Sequence, residues 1–481
     1  MAVRTGREYV EALRDGRRVW QGGRLIEDVP SHPGFSGTVQ SLARLYDAQH
    51  APELFDRLTV DWQGERISYR YHPPQSAEDL ARKRSHTEYW AEETLGQMGR
   101  LPDYCAEMTV GLLDVAELLE PDGAKNARNY HRLAAERDLS LTHALNDQFY
   151  DRRKRVSEQA DPDLVLHVVR ETADGPIVRG LRNLATMAPL CDEVLVHPNA
   201  PRGVDEVDYA ICFALPMNAP GLKVVCRDLY AEHADPERLP LTTRFDEVDA
   251  TLIFDDVLVP WERVFVYRNP PLAQRYHATV LLWAAWVSTV RLLTKLRFFI
   301  GVAQLLSEWS GREPRTLLGR LLQDLEILRA CLVAAEAEGY RKPSGLWAPR
   351  LNEAHRLHGI EASDRAEQLM EQILTSYLIQ TGGPSDLSAP EIGPLVSRYF
   401  AAGAPSTRDH LRLLAVAGDL VQSAFANRNQ LYERLWGGEP DAIRQRLHRN
   451  TDLSAFTAPV LCFIRDGWDV RSEPSRTDGL R

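Results

Sequence analysis

Leu164-Val165-Leu166-His167-Val168-Val169, followed after Asp174-Gly175 by Pro176-Ile177-Val178, is the stretch that decides the fold class. Leu164, Leu166 and Val168 alternate with Val165, His167 and Val169, the period-2 pattern of a strand. Asp-Gly between two apolar runs is a two-residue hairpin signal. Downstream, Tyr209, Ile211, Phe213 and Leu215 alternate, and Asn218-Ala219-Pro220-Gly221 reads as a turn. Leu222 to Cys226, Ala250 to Val259 and Val264 to Tyr267 continue the β character. Residues 150–268 are expected to form a central β domain, a sheet or barrel.

On both sides the period is helical. Residues 1–149 open with an amphipathic stretch at Tyr9, Leu13 and Val19, interrupted by Gly and Pro between residues 15 and 37. Pro102-Asp103 reads as a helix start, because proline is tolerated in the first turn and an acid suits the positive helix end. Met108, Leu112, Leu113 and Val115 then mark an apolar face. After Asn269-Pro270, Leu318, Leu321, Leu322, Leu325, Leu328 and Leu332 follow i, i+3, i+4 spacing. Ser406 with Asp409 resembles a capping box. It opens a helix expected to run past Leu414, Val421 and Phe425 and to end at Gly437-Gly438-Glu439-Pro440. Residues 269–481 are therefore expected to form a helical bundle. The class is mainly α with a central β-barrel.

The 481 residues carry a formal charge of −11, which argues against a general nucleic-acid binder. The start of the chain lacks a signal peptide's apolar core. The most apolar run, Ala278 to Val290, is closed by Arg291 and falls short of the roughly 20 residues of a membrane span, so it is expected to be a buried helix. Six cysteines without CxxC spacing argue against a disulfide framework or zinc ribbon and point to a reducing, cytoplasmic setting. There is no GxGxxG between a strand and a helix, no P-loop, no HExxH and no GxSxG. His355 and His358 lie beside Glu353, but such pairs on polar helices are usually surface residues, so no metal is expected.

Four segments stand out from this generic background. They are Met98-Gly99-Arg100-Leu101-Pro102-Asp103-Tyr104, Asp138-Leu139-Ser140-Leu141-Thr142-His143-Ala144, Gly180-Leu181-Arg182-Asn183-Leu184-Ala185-Thr186, and Arg244-Phe245-Asp246-Glu247 leading to Phe254-Asp255-Asp256-Val257. Together, in order, they resemble the oxygenase component of the 4-hydroxyphenylacetate 3-monooxygenase family, two-component aromatic hydroxylases that use reduced flavin. Weaker similarity continues to Asn450-Thr451-Asp452.

The resemblance implies an acyl-CoA-dehydrogenase-like fold, usually tetrameric, with FAD used as FADH2 and supplied by a separate NAD(P)H:flavin reductase. It implies that O2 forms a flavin C4a-hydroperoxide, which hydroxylates a phenol or hydroxylated heteroaromatic ring ortho to its hydroxyl. Arg100 and Tyr104 would contact the phenolic oxygen, His143 would exchange its proton, and Arg100 and His143 would also meet the flavin. Thr186 matches a threonine facing flavin N5. Gln380, Gly382 and Gly383 match a flavin-contacting turn. Asp255-Asp256 and Trp261-Glu262-Arg263 read as structural.

Two departures stand out. Arg182 replaces a common lysine. The loop His197-Pro198-Asn199-Ala200-Pro201-Arg202-Gly203, with Pro198 and Asn199 as candidate substrate residues, lacks the small hydroxylated residues that hold a phenylacetate carboxylate. The substrate is then another small aromatic, free or tethered to a carrier protein. The rival of the same fold is a flavin-dependent acyl-CoA dehydratase, which needs clustered iron–sulfur ligands. Only Cys105 lies near the Arg100–Tyr104 helix.

Overall fold

The computed structural model describes residues 3–147, 150–379, 382–436 and 438–467. The N-terminal part holds helices α1 (Gly6–Ala12), α2 (Pro33–Ala48), α3 (Phe55–Leu58), α4 (Ala77–Glu93), α5 (Pro102–Val115) and α6 (Pro121–Glu136). It also holds strands β1 (Val19–Gln21), β2 (Arg24–Ile26), β3 (Thr59–Trp62), β4 (Glu65–Ser68) and β5 (Leu141–Ala144). The middle contributes β6 (His167–Glu171), β7 (Pro176–Arg182), β8 (Glu193–Val196), β9 (Ile211–Pro216), β10 (Leu222–Cys226), β11 (Ala250–Leu258) and β12 (Val264–Tyr267), with α7 (Thr242–Phe245) between the last strands. The rest is helical: α8 (Pro270–Ser310), α9 (Arg315–Ala337), α10 (Glu353–Leu374), α11 (Gly393–Tyr399), α12 (Thr407–Val421), α13 (Ala424–Trp436), α14 (Pro440–Asn450) and α15 (Ser454–Cys462).

The expected barrel is instead two sheets, and no closed barrel forms among the described residues. One sheet has the order β2-β1-β10-β11-β7-β6 and the other β12-β9-β8-β5. The first 149 residues are not purely helical: β1 pairs parallel with β10, and β5 parallel with β8. Short strands such as β1 have too few residues to display a period, which is why they read as an interruption.

The deciding stretch forms a hairpin, but one residue away from the expected turn. Thr172 and Gly175 exchange backbone hydrogen bonds, so Ala173 and Asp174 are the central pair. Gly175 has φ +150°, and a Cβ there would lie 1.9 Å from the Val259 carbonyl oxygen, so the position requires glycine. Pro162–Leu164 forms a short 3-10 turn, so the strand starts only at His167.

Asn269 caps α8 by accepting from the Leu272 N–H at 3.1 Å, and Gly311 closes it in the left-handed region. The apolar run 278–290 lies within this 41-residue helix. Its most apolar window is 83% buried inside the protein, because α8 packs against α4, α5, α9, α10 and α12. On α9, Leu321, Leu325, Leu328 and Leu332 are buried as expected, but Leu322 is exposed. Ser406 does cap α12, accepting from the Asp409 N–H. The helix breaks at Gln422-Ser423, so what read as one helix is α12 and α13.

Candidate functional site

Arg100 sits in the turn before α5, not on the helix. The turn still delivers it to the face of Tyr104, whose ring centroid lies 3.9 Å from the guanidinium carbon. Gly99 makes this possible: a Cβ there would lie 2.3 Å from the ring of Tyr432, which closes over Arg100 from α13. Arg100 donates to the Tyr432 hydroxyl, which itself donates to the Gly99 carbonyl at 3.0 Å. Tyr104 stacks on His143 of β5, with ring centroids 5.5 Å apart and planes 27° apart. The three residues expected to handle the phenol therefore form one continuous stack: guanidinium, phenol ring, imidazole.

Burial holds the His143 imidazole well below the usual histidine range, and Arg100, His197 and His277 push the same way. The ring is therefore neutral and able to accept a proton. Its Nδ1 is buried and has no hydrogen-bond partner among the described residues. Burial raises the Tyr104 phenol, partly opposed by Arg100, so Tyr104 stays a hydrogen-bond donor.

Thr186 follows β7 between Leu184 (φ +56°) and Met187 (φ +67°), two non-glycine residues in the left-handed region. Such backbone persists only where its surroundings fix it. Here the fixing bonds run from Ala185 N–H to the Ala250 carbonyl and from Met187 N–H to the Val248 carbonyl, while the Thr142 hydroxyl donates to the Thr186 carbonyl at 2.6 Å. That last bond ties the segment to the residue beside His143. The Thr186 hydroxyl donates to Asp249 at 2.6 Å.

Arg428 of α13 grips Asp249 through Nε at 2.8 Å and Nη2 at 2.7 Å, and donates to Glu247 at 2.6 Å. Burial alone would raise the Asp249 carboxyl, but Arg428 and the Thr186 hydroxyl hold it far below the usual range. Glu247 in turn accepts from the Arg100 backbone N–H. Thr186, Asp249, Arg428, Glu247 and Arg100 thus form one connected network.

Beside this network lies a cavity of about 710 Å³, lined by Asn183, Leu184, Arg227, Tyr230, Thr251 and Arg428 among others. That volume falls within the range of sites that take cofactor-sized ligands. Its mixture of apolar wall and convergent donors fits a flavin.

Gly382 and Gly383 are not part of this assembly. They line a separate cavity of about 220 Å³ with Arg238, Leu414 and Asp419. Gln380 lies outside the described residues. In the substrate loop Pro198 is buried, and exposed Asn199 donates to Asn146. Arg182 is buried, and with Arg202 it pairs with Asp147. Asp255 pairs with Lys223 and Asp256 with Arg179 at the sheet surface, as structural residues do.

No sequence pattern assigns a role to Tyr432, Arg428, Glu247 or His197. Glu247 stood inside a quoted motif, which was its only signal. Tyr432 and Arg428 come from a helix over 300 residues away from Arg100 and carried none. His197, buried just beyond β8, has Nδ1 3.3 Å from Nδ1 of His277 on α8. Among the described residues no three His, Cys, Asp or Glu side chains group as a metal site would require.

Residues 5–266 match the family model described as 4-hydroxyphenylacetate 3-hydroxylase N terminal, and residues 274–465 match its C terminal counterpart. The 4-hydroxyphenylacetate 3-monooxygenase oxygenase component of Thermus thermophilus is 35% identical, over 98% of this chain and 99% of that protein. A Streptomyces globisporus monooxygenase is 32% identical, over 96% of this chain and 92% of its own length; its name gives a 3-amino-3-(3-chloro-4-hydroxyphenyl)propanoyl group on a peptidyl-carrier protein. A crystal structure of a 4-hydroxyphenylacetate 3-monooxygenase oxygenase component, complexed with FAD and 4-hydroxyphenylacetate, superposes with a TM-score of 0.92. It is 34% identical and covers 98% of this chain and 100% of that one. An archaeal 4-hydroxybutyryl-CoA dehydratase shares the fold at a TM-score of 0.88 but only 20% identity.

The family models and these relatives define a flavin-dependent aromatic monooxygenase of the oxygenase-component kind, with acyl-CoA-dehydrogenase-like architecture. The chain belongs to the 4-hydroxyphenylacetate 3-hydroxylase family.

Proposed function

We propose that the protein binds FAD in its reduced form and hydroxylates a phenol, or a hydroxylated heteroaromatic ring, ortho to its hydroxyl. A separate NAD(P)H:flavin reductase supplies the FADH2. The observation that carries this reading is the Arg100–Tyr104–His143 stack. When bound, reduced flavin supplies the electrons that activate O2 and pass one oxygen atom to the ring.

The protein's part is to make the ring electron-rich. Arg100 offers a permanent charge and Tyr104 a hydroxyl donor to the phenolic oxygen, so negative charge developing there is stabilised. Neutral His143 accepts the phenolic proton. The Thr186 hydroxyl, held by Asp249 and Arg428, presents a fixed polar group to the flavin beside the 710 Å³ cavity.

The substrate loop supports a ring other than 4-hydroxyphenylacetate, because buried His197 and Pro198 stand where small hydroxyl groups would be needed. A carrier-tethered phenol belongs to this proposal. So does assembly into a homotetramer: α15 exposes Phe456, Val460 and Leu461, an apolar surface that is costly in water.

The test is turnover of a panel of phenols with FADH2 generated by any reductase, read as a mass gain of one oxygen. Hydroxylation that needs both FADH2 and O2 is expected. His143→Ala is expected to lose about 10²–10⁴-fold in kcat, the range for a general acid–base group. Normal turnover by that variant removes His143 from the mechanism.

A further inference from the structure

The phenolic proton must leave the site, and His143 is only 5% exposed. Sheet register shows where it can go. His143 of β5 pairs with Leu195 of β8 in a parallel ladder. His197 is two residues beyond Leu195, so His143 and His197 share one face of the sheet as diagonal neighbours. The His197 N–H bonds to the Ala144 carbonyl at 3.3 Å, which keeps the two strands in line at this point.

Three buried polar atoms here have no hydrogen-bond partner among the described residues: His143 Nδ1, His197 Nε2 and the Tyr276 hydroxyl. Tyr276 packs edge-on against His197, with centroids 5.2 Å apart. A bridging water needs two to four such partners, and these three supply them. On its other side His197 meets His277 at 3.3 Å, and His277 is half-buried at the start of α8, the first group of the series to reach solvent.

We propose that His197 and His277 form a proton exit path from His143 to solvent. The proposal rests on the phenol-ionising role given to His143 above. The phenol O–H bond breaks and an N–H bond forms at His143 Nε2. The imidazolium releases its Nδ1 proton through one water to His197 Nε2. His197 passes its own Nδ1 proton to His277 Nδ1, and His277 releases its Nε2 proton to bulk water. Each group gains one proton and loses one, and no electron changes hands.

Such a path needs neutral imidazoles, free to accept at one nitrogen and donate from the other. Burial pushes His197 well below the ordinary range, and His277 down to about 4. The charged groups facing the series act the same way: Arg100 opposes protonation of His143, Arg182 that of His197, and Arg356 of α10 that of His277. Arg356 is itself steadied by Glu353 at 3.4 Å. Tyr104 and Tyr276 stay protonated, because burial raises both.

The test uses FAD-loaded enzyme and 4-nitrophenol, whose ionised form is coloured, mixed by stopped flow below the pKa of the free phenol. His277→Ala and His197→Phe are expected to reach the same final phenolate signal about tenfold more slowly or worse. Added imidazole is expected to restore the rate of His277→Ala, which a merely structural loss would not allow. His277→Asn, closer in size, serves if the alanine variant does not fold. Unchanged rates in the folded variants overturn the proposal, as does a slow rate that imidazole leaves slow. A wild-type enzyme that never ionises 4-nitrophenol sinks the underlying reading, and this inference with it.

Discussion

Arg428 does at the residue scale what no local motif advertises. One buried guanidinium holds two carboxylates, Glu247 and Asp249, and through them fixes the Arg100 backbone and the Thr186 hydroxyl. Arg428→Met is expected to strip buried Glu247 of its ion pair and to leave half-buried Asp249 with Arg227 at 3.4 Å, and to cost about 3–5 kcal/mol, measured by urea unfolding. Arg428→Lys is expected to recover little, since an ammonium lacks the planar fork that meets both partners. Tyr432→Phe is a finer cut. It removes one acceptor of Arg100 and leaves the Gly99 carbonyl, with little change in volume, so kcat/KM is expected to fall about tenfold while the unfolding midpoint stays near wild type. Arg100, Tyr104 and His143 were legible in the sequence because their surrounding residues form recognisable segments. Arg428 and Tyr432 were not, because their role exists only once α13 has folded across the turn before α5.

Helices and strands show the same division. The period-2 runs and the helix caps were readable, because capping and alternation are local physics. Ser406 shows this directly: its hydroxyl accepts from the Asp409 N–H at 3.1 Å, and Ser406→Ala is expected to cost about 1 kcal/mol in a urea titration. The break between α12 and α13 was missed because no glycine or proline stands at Gln422-Ser423; its local signal is Ser423, whose hydroxyl accepts from the Ala426 N–H at 3.0 Å and caps α13. A long-range contact adds to it. Asp419 near the end of α12 accepts from the Leu241 and Thr242 backbones and from the Thr242 hydroxyl, so the helix is anchored to the segment entering α7.

Elements also carry a pH response. Glu433 of α13 accepts from Arg291 and Lys295 of α8, and although burial opposes it, these cations bring its carboxyl down to about 2. Nearby Glu367 of α10 is raised to about 8, by burial first, with Lys295 opposing and Glu433 reinforcing. An acid raised in the folded state binds more protons folded than unfolded across this range, so its stabilising share is present below about pH 4.5 and is lost as pH rises through 8. Glu367→Gln is therefore expected to raise the thermal midpoint relative to wild type at pH 9, with the gap closing toward pH 5. An equal gap at both values would contradict the assignment.

At the scale of the whole molecule the C-terminal helices expose apolar surface that the other described residues do not cover. Phe456 is 66% exposed and Val460 57%. Phe456→Glu with Val460→Glu is expected to lower the mass seen by light scattering if this surface joins subunits, with the far-UV spectrum unchanged. The order of helices, strands and helices was visible from period alone. That the first strands belong to the central sheets was not, because a three-residue strand such as β1 takes its identity from the partner it meets two hundred residues later.

Those parallel pairings constrain how the chain can be cut. Val19 lies against Val224, and Leu141 against Glu193. A fragment beginning near residue 150 would leave β10 and β8 with raw, unpaired backbone, the kind of margin that sticks to other chains. Such distant closures are slow to find. The ribosome's early product must therefore wait, unclasped, until the middle strands arrive, and a protease nick near residue 150 should be harmless in the finished molecule yet ruinous to one that has to refold.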